Sequence, residues 1–250
     1  MNVIELRERL DGLLRTAEIA DYPDAYNGLQ VECGTEIERV AFAVDASLVT
    51  IEAAVDGRAN LLVVHHGLFW GGGAPLTERR YRRVRALIQA DVGLYSAHLP
   101  LDAHPQVGNN AVLARKLGVE IEGRFGDYKG TEIGIWGRLE MRREALAARL
   151  DELLGNRVRL IAGGPERVRN VGVITGGAGG EVAAARAAGL DAFITGEGAH
   201  HNYFDAVEGS INLYLGGHYA TEVWGVRALA EYCSRELGLQ TFFIDQPTGL

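Results

Sequence analysis

Short apolar runs alternate with helical patterns along most of the chain, and this alternation constrains the fold more than any other feature. Residues 40–44 and 61–64 are apolar enough to predict buried strands, and residues 47–57 between them have the periodicity of a helix. The second half repeats this arrangement over residues 171–195. Strands that alternate with helices at this pitch predict βαβ units and a parallel sheet, so we assign the chain to the α/β class.

The same reasoning predicts the remaining elements. Helices are expected over residues 2–16, 77–90, 108–117, 142–154 and 179–188, with a last helix that ends near residue 237. Further strands are expected over residues 92–97, 132–139, 158–161, 192–195, 211–215 and 241–244. Gly71, Gly72 and Gly73 predict a loop.

The two halves of the chain resemble each other in the spacing of these elements. Residues 40 and 61 are 21 positions apart, as are residues 171 and 192. Further along, His98 aligns with His218, and Asp102 aligns with Glu222, at a common offset of 120 positions. We therefore predict a degenerate internal repeat of two α/β halves, residues 1–125 and 126–250, although the last helix and strand could pack on the first half.

Composition excludes several classes of protein. The 47% hydrophobic and 23% charged residues are typical of a soluble globular protein, and no apolar run approaches the roughly 18 residues that span a membrane. The net charge of −8 argues against nucleic acid as a partner. Two cysteines make no disulfide framework, and the acidic amphipathic N-terminus is not a signal peptide, so we predict a cytoplasmic protein.

The seven histidines fall in four stretches, VVHHG, SAHLPLDAHP, GEGAHHNY and GGHYATE, which follow predicted strands. Ligands of open parallel sheets bind beyond the carboxyl ends of the strands. Imidazole and carboxylate without thiolate suit Zn, Fe, Mn, Co or Ni, and the set exceeds the three or four ligands of a single zinc, which favours a dinuclear site. The candidate residues are His65, His66, His98, Asp102, Glu197, His200, His201, His218 and Glu222.

Each candidate also has an ordinary structural role open to it. The pair His65-His66 could end a strand with one ring packed and the other exposed. His218 and Glu222 could form an ion pair at a helix start, and Asp102 could be a helix N-cap. The GEGAHH stretch could likewise cap a helix or surround a site without binding metal.

Five motifs resemble the Nif-three-like family, dinuclear-metal-centre proteins often labelled GTP cyclohydrolase I type two homologues. They are NGLQV at 27–31, HHGLFW at 65–70, HLPLD at 98–102, TGEGAHH at 195–201 and GGHYATE at 216–222. The motifs cover essentially the whole chain in the order of the family. The resemblance implies a two-lobed α/β subunit, a toroidal homohexamer, and a metal site between the halves that opens to the internal cavity.

The resemblance also implies ligand roles. His66 and Asp102 match ligands of one metal, His65 and His218 match ligands of the other, and Glu222 matches a carboxylate that bridges the two. The family's cavity-facing polar positions correspond to His98, Glu197, His200 and His201.

One residue departs from the family pattern. Gly67 stands where the family usually has proline, from which we expect a looser turn after His66.

Two functional hypotheses follow. The first is a hydrolase with two divalent metal ions per subunit that uses a metal-bridging water, with His98 or Glu197 as general acid/base and a small-molecule substrate. A nucleotide is implied by the family label alone, because the sequence has no guanine-reading signature. The second is a non-enzymatic metal storage or delivery protein, or an assembly scaffold, with which the same ligands are compatible.

Overall fold

The structure, a computed structural model, describes residues 1–70 and 74–250 in two units, each built on one mixed β-sheet. The predicted loop at Gly71–Gly73 lies outside the described residues. The first unit comprises Met1–Leu101 and Gly225–Gln246, and the second comprises Asp102–Trp224 and Pro247–Leu250.

The elements follow one another as the apolar patterning predicts. The helices are α1 (Val3–Leu14), α2 (Leu48–Asp56), α3 (Glu78–Gln89), α4 (Leu99–Asp102), α5 (Asn109–Leu117), α6 (Arg143–Leu154), α7 (Val182–Ala187), α8 (Asn202–Glu208) and α9 (His218–Leu237). The strands are β1 (Gly28–Val31), β2 (Arg39–Asp45), β3 (Leu61–His66), β4 (Gly93–Ser96), β5 (Glu120–Tyr128), β6 (Thr131–Arg142), β7 (Arg159–Ala162), β8 (Arg167–Val173), β9 (Ala192–Thr195), β10 (Asn212–Leu215) and β11 (Gln240–Phe243).

The sheet of the first unit has the strand order β1-β4-β3-β2-β11. All its neighbouring strands are parallel except β1, which runs antiparallel to β4. Its central strands are continuous apolar runs because a parallel sheet is covered by helices on both faces. A capping box of Ser47 and Thr50 begins α2, so the helix starts close behind β2.

The sheet of the second unit has the order β5-β6-β8-β9-β10-β7. Strands β8, β9 and β10 are parallel to one another, and β7 is antiparallel to β10. Both units therefore contain the same four-stranded arrangement, which is β1-β4-β3-β2 in the first unit and β7-β10-β9-β8 in the second. The register agrees as well, since Val40 pairs with Leu61 and Val171 pairs with Ala192.

The units divide between Leu101 and Asp102, earlier than the boundary near residue 125 that we predicted from sequence. The reason is the packing of α5, whose Leu113 and Leu117 belong to the same buried cluster as Leu146 of the second unit. Most of α9 and all of β11 belong to the first unit, which is the alternative that the sequence left open for the last helix and strand.

Several predicted elements differ in the structure. The predictions missed α4 and β5, and placed β6 as a strand over 132–139 alone. The predicted helix over 179–188 is a short 3-10 turn, Gly179–Glu181, followed by α7. Among the helices in the described part of the chain, none is long and apolar enough to cross a membrane.

Candidate metal-binding site

Three imidazoles meet at the carboxyl edge of the sheet of the first unit. His65 and His66 end β3, and His98 follows β4, the parallel neighbour of β3. One ring nitrogen of each lies within 4.8 Å of the others, and the His65 ring centroid is 4.6 Å from that of His66 and 5.0 Å from that of His98. Neighbouring parallel strands end side by side, so their last residues come together.

The rings of His65 and His66 are each held through Nδ1. Buried His65 has its Nδ1 2.9 Å from the carbonyl oxygen of Ala97, to which it donates in the Nδ1–H tautomer. Half-buried His66 has its Nδ1 2.9 Å from a carboxylate oxygen of Asp45. Metal-ligating histidines use their second ring nitrogen in this way, so Nε2 is the atom that each ring offers to a cation.

His98 is held by a buried carboxylate that the sequence analysis did not find. Its Nδ1 donates to Asp21 at 2.9 Å, and the side chain of Asp21 is 5% exposed. The same carboxylate accepts from Asn27 and from the backbone N–H of Tyr22 and Leu99. Burial alone would raise the pKa of Asp21, but the hydrogen bond and charge of His98, with the other donors, lower it.

The turn after His66 is fixed by Gln30 of the NGLQV motif. Its Oε1 accepts from the backbone N–H of Leu68 at 2.8 Å and of Phe69 at 3.4 Å, and its Nε2 donates to the carbonyl of Tyr26 at 2.7 Å. A Cβ atom on Gly67 would lie 2.3 Å from Nε2 of Gln30. Glycine therefore makes room for the side chain that holds the turn, while the looser turn that we expected stays a prediction.

In the second unit, His218 lies between two carboxylates. It is the first residue of α9, and Glu222 is one helical turn later on the same face. The distance from His218 Nε2 to Glu222 is 3.2 Å, and that from Nδ1 to Glu197 is 2.5 Å. The hydrogen bond to Glu222, the largest cause, acts with Glu197 to raise the pKa of His218 to about 9 against the opposing effect of burial.

A glycine brings the backbone against Glu222. Gly176 has a φ of +70°, and a Cβ atom there would lie 2.1 Å from Oε1 of Glu222 and 3.2 Å from Nε2 of His218. The backbone N–H of Gly176 donates to Oγ1 of Thr221 at 3.0 Å, which fixes this approach. Any side chain at position 176 would fill the space beside both candidate ligands.

Asp102 is buried in the second unit at the end of α4 and is not the helix N-cap that the sequence left open. Nδ2 of Asn109 donates to its Oδ1 at 2.9 Å, and Oγ1 of Thr175 lies 3.4 Å from the same atom. The N-cap of α5 is Gly108. Asn109 and Thr175 thus hold the carboxylate through one oxygen, and the sequence carried no signal for either.

Residues 197–201 of the GEGAHH stretch are exposed. Glu197 contacts His218, whereas the His200 ring packs against Phe204 with centroids 5.8 Å apart. His201 precedes α8 without a side-chain cap. A role for His200 and His201 in the cavity or around the metal ligands stays a prediction.

Comparison with known proteins agrees with the motifs. The sequence model of the family described as Duf34/NIF3 (NGG1p interacting factor 3) matches residues 1–249. A protein of Deinococcus radiodurans named GTP cyclohydrolase 1 type 2 homolog is 46% identical over 235 residues, covering 93% of this chain and 89% of the relative. One of Archaeoglobus fulgidus with the same name is 44% identical over 251 residues, covering 100% of both chains.

A solved structure has the same fold. Protein ybgI, described as of unknown function, matches with a TM-score of 0.94 and 36% identity over 100% of both chains.

Proposed function

The chain belongs to the Duf34/NIF3 family, and we propose that it is a hydrolase that depends on two divalent metal ions per subunit. The proposed ligands are the five that the motifs indicate: His65, His66, Asp102, His218 and Glu222. Imidazole and carboxylate donors suit Zn, Fe, Mn, Co or Ni.

One observation carries the proposal. Three imidazoles of the first unit have ring nitrogens within 4.8 Å of one another, while their Nδ1 atoms lie at hydrogen-bond distance from a carbonyl or carboxylate oxygen. A histidine whose Nδ1 is engaged in this way presents Nε2 to a cation, as metal-ligating histidines do. The donor set of these three rings therefore fits a divalent cation.

The second unit fits a cation for a separate reason. Glu222 is a buried carboxylate, and the backbone of Gly176 approaches it so closely that a side chain at position 176 would have no room. A buried carboxylate is stabilised by a positive partner, and Glu222 accordingly raises the pKa of His218, which lies 3.2 Å from it. A metal ion would replace the proton of His218 as the partner of Glu222, so the residues of this unit also suit the group.

The chain's own residues would then position and deprotonate the attacking water. When bound, divalent ions would lower the pKa of a coordinated water and polarise the bond to be cleaved. Asp21 holds the Nδ1–H of His98, so Nε2 is the atom of this ring that can accept a proton. Glu197 is the other proposed acid/base, since its carboxylate is exposed and within 2.5 Å of His218.

The names of the relatives point to a nucleotide as the substrate, and GTP is the first compound to test. The homohexameric assembly and the cytoplasmic location remain predictions from the family resemblance and the composition. Analytical ultracentrifugation at the protein concentration of the assays would measure the number of subunits.

The decisive experiment combines elemental analysis of the purified protein with a hydrolysis assay on GTP and other nucleotides, before and after chelation. Glu222→Gln keeps the shape of the side chain but removes its charge, so we expect it to lose bound metal and all turnover. Glu208→Gln is the matched control, because it makes the same substitution at an exposed glutamate outside the candidate residues. Full turnover by chelated protein, or by E222Q without metal, would contradict the proposal.

Metal binding without turnover of any nucleotide or phosphoester would leave the ligand assignment intact and refute the hydrolase. That result would favour the alternative of metal storage or delivery. Fast exchange of the bound metal with a chelator would then be the property to measure.

A further inference from the structure

A second feature of the first unit has no role in metal binding. It is a cavity of about 560 Å³, within the range of small-molecule sites, here called the Arg80 pocket. Its walls include Tyr26, Leu29, Phe69, Leu76 and Arg80. These residues come from β1 and the loop before it, the turn after β3, the segment before α3 and the start of α3.

The guanidinium of Arg80 is held in place but has unused donors. Its Nη1 donates to the carbonyl of Ala74 at 2.8 Å, and its Cζ lies 4.9 Å from the centroid of the Phe69 ring. A guanidinium carries five N–H donors in a planar fork, so Arg80, which lines the cavity, can donate to an anionic group of a ligand as well as to Ala74.

The backbone that carries the aromatic wall is held in place. The backbone N–H of Tyr26 donates to the carbonyl of Phe69 at 3.3 Å, and Gln30 binds the backbone of both segments. The Tyr26 side chain is 58% exposed, so its ring is open to a flat ligand.

The charge around the pocket favours an anion. Residues 78–85 at the start of α3 contain five arginines and one glutamate, in a chain whose net charge is −8. Asp24 is the carboxylate among the lining residues, and its side chain is exposed to solvent. Arg80 therefore marks the end of the pocket that would receive negative charge.

We propose that the Arg80 pocket binds a planar heteroaromatic ring that carries an anionic group, with the ring against Tyr26 or Phe69 and the anionic group on the guanidinium of Arg80. Phe69 precedes Trp70, whose ring centroid is 4.7 Å from that of His98. The pocket thus adjoins the histidine cluster, and its role as the substrate-recognition site rests on the proposed function. The binding itself does not.

The test is calorimetric titration of the chelated protein with guanosine monophosphate, so that binding is measured without metal. We expect GMP to bind and guanosine and inorganic phosphate to bind roughly 10-fold or more weakly, because each lacks one half of the ligand. Nicotinate, an aromatic carboxylate, tests whether the anionic group of the ligand is a phosphate or a carboxylate. Binding of nicotinate as tight as that of GMP supports the proposal with a carboxylate in place of the phosphate.

Arg80→Ala should weaken GMP binding roughly 10-fold or more, and Arg82→Ala, which removes an equal charge from the same helix outside the pocket, should not. Tyr26→Ala changes an exposed side chain and provides a second variant that should fold. Equal affinity for GMP and guanosine, or equal effects of R80A and R82A, would overturn the proposal. GMP binding that requires Arg80 in a protein without metal sites would support the pocket while refuting the proposed hydrolase.

Discussion

Asp21 is the residue whose replacement tests the structural argument most directly. Its Oδ1 accepts from the backbone N–H of Tyr22 at 2.7 Å and from Nδ1 of His98 at 2.9 Å. Its Oδ2 accepts from Nδ2 of Asn27 at 2.8 Å and from the backbone N–H of Leu99 at 3.0 Å. In Asp21→Asn one of these oxygens becomes an NH₂ group, which faces two donors whichever way the amide is oriented.

The magnitude follows from those contacts. Hydrogen bonds to a charged group contribute roughly 1.5–3 kcal/mol each, and two of the four are lost. We therefore expect D21N to lower the free energy of unfolding by about 3 kcal/mol or more at pH 7. The His98 ring also loses its fixed orientation, which should lower any hydrolytic activity by roughly 10- to 100-fold.

The pH dependence provides an independent check. The folded-state pKa of Asp21 lies below its ordinary value of 3.8, so its stabilising effect is fully present above that value and is lost as the pH falls through the folded pKa. Wild-type protein should thus lose more stability than D21N on acidification below about pH 4. The difference between the two proteins should narrow over that range.

Guanidinium denaturation of chelated protein, followed by circular dichroism from pH 7 to pH 3, measures both effects. Asp24→Asn is the control, since Asp24 lies in the same loop with an exposed side chain. A D21N protein within 1 kcal/mol of the wild type would refute the argument. So would a stability difference that stays constant as the pH falls.

Three further expectations concern the rest of the chain. Gly137→Ala should destabilise the protein by about 3 kcal/mol, because a Cβ atom there would lie 2.0 Å from the backbone oxygen of Glu120, and thermal unfolding would show it. Gly12→Ala should instead stabilise α1 by about 0.5–1 kcal/mol in the same measurement, because nothing lies within 4 Å of the added methyl group. Burial raises the pKa of Cys33 and raises that of Cys233 to about 12, so neither thiol should react with Ellman's reagent at pH 8 until the protein is unfolded.

The part of the site that the sequence predicted depends on strand order. His65, His66 and His98 follow two apolar runs, and the prediction that they meet requires only that these runs become neighbouring parallel strands. Apolar periodicity is strong enough to reveal such strands. The meeting of these three imidazoles could therefore be predicted from the sequence.

The orienting groups could not be predicted in this way. Asp21 lies 77 positions before His98, and Asp45 lies 21 positions before His66. A single acidic residue in a polar loop has no periodicity, and a hydrogen bond to a backbone carbonyl such as that of Ala97 leaves no mark on the sequence. These contacts depend on the tertiary fold.

Two missed elements have local explanations. Pro100 is the second residue of α4, where a proline loses no intrahelical hydrogen bond. Strand β5 is largely exposed and carries few apolar residues, so alternation did not reveal it. Lys129 and Gly130 have positive φ values and form a tight hairpin turn from β5 to β6.

The aligned histidines of the two halves show how a common scaffold can hold different partners. His98 follows β4, and His218 follows β10, which occupy equivalent positions in the shared four-strand order. The Nδ1 atom of each lies at hydrogen-bond distance from a carboxylate, yet Asp21 precedes the strands of its unit, whereas Glu197 follows β9. Two unrelated chain positions supply the same group to equivalent rings. Each imidazole needs a partner that fixes Nδ1 and thereby orients Nε2. This need explains the two carboxylates better than the duplication of a single ancestral loop does, because the carboxylates come from non-equivalent positions.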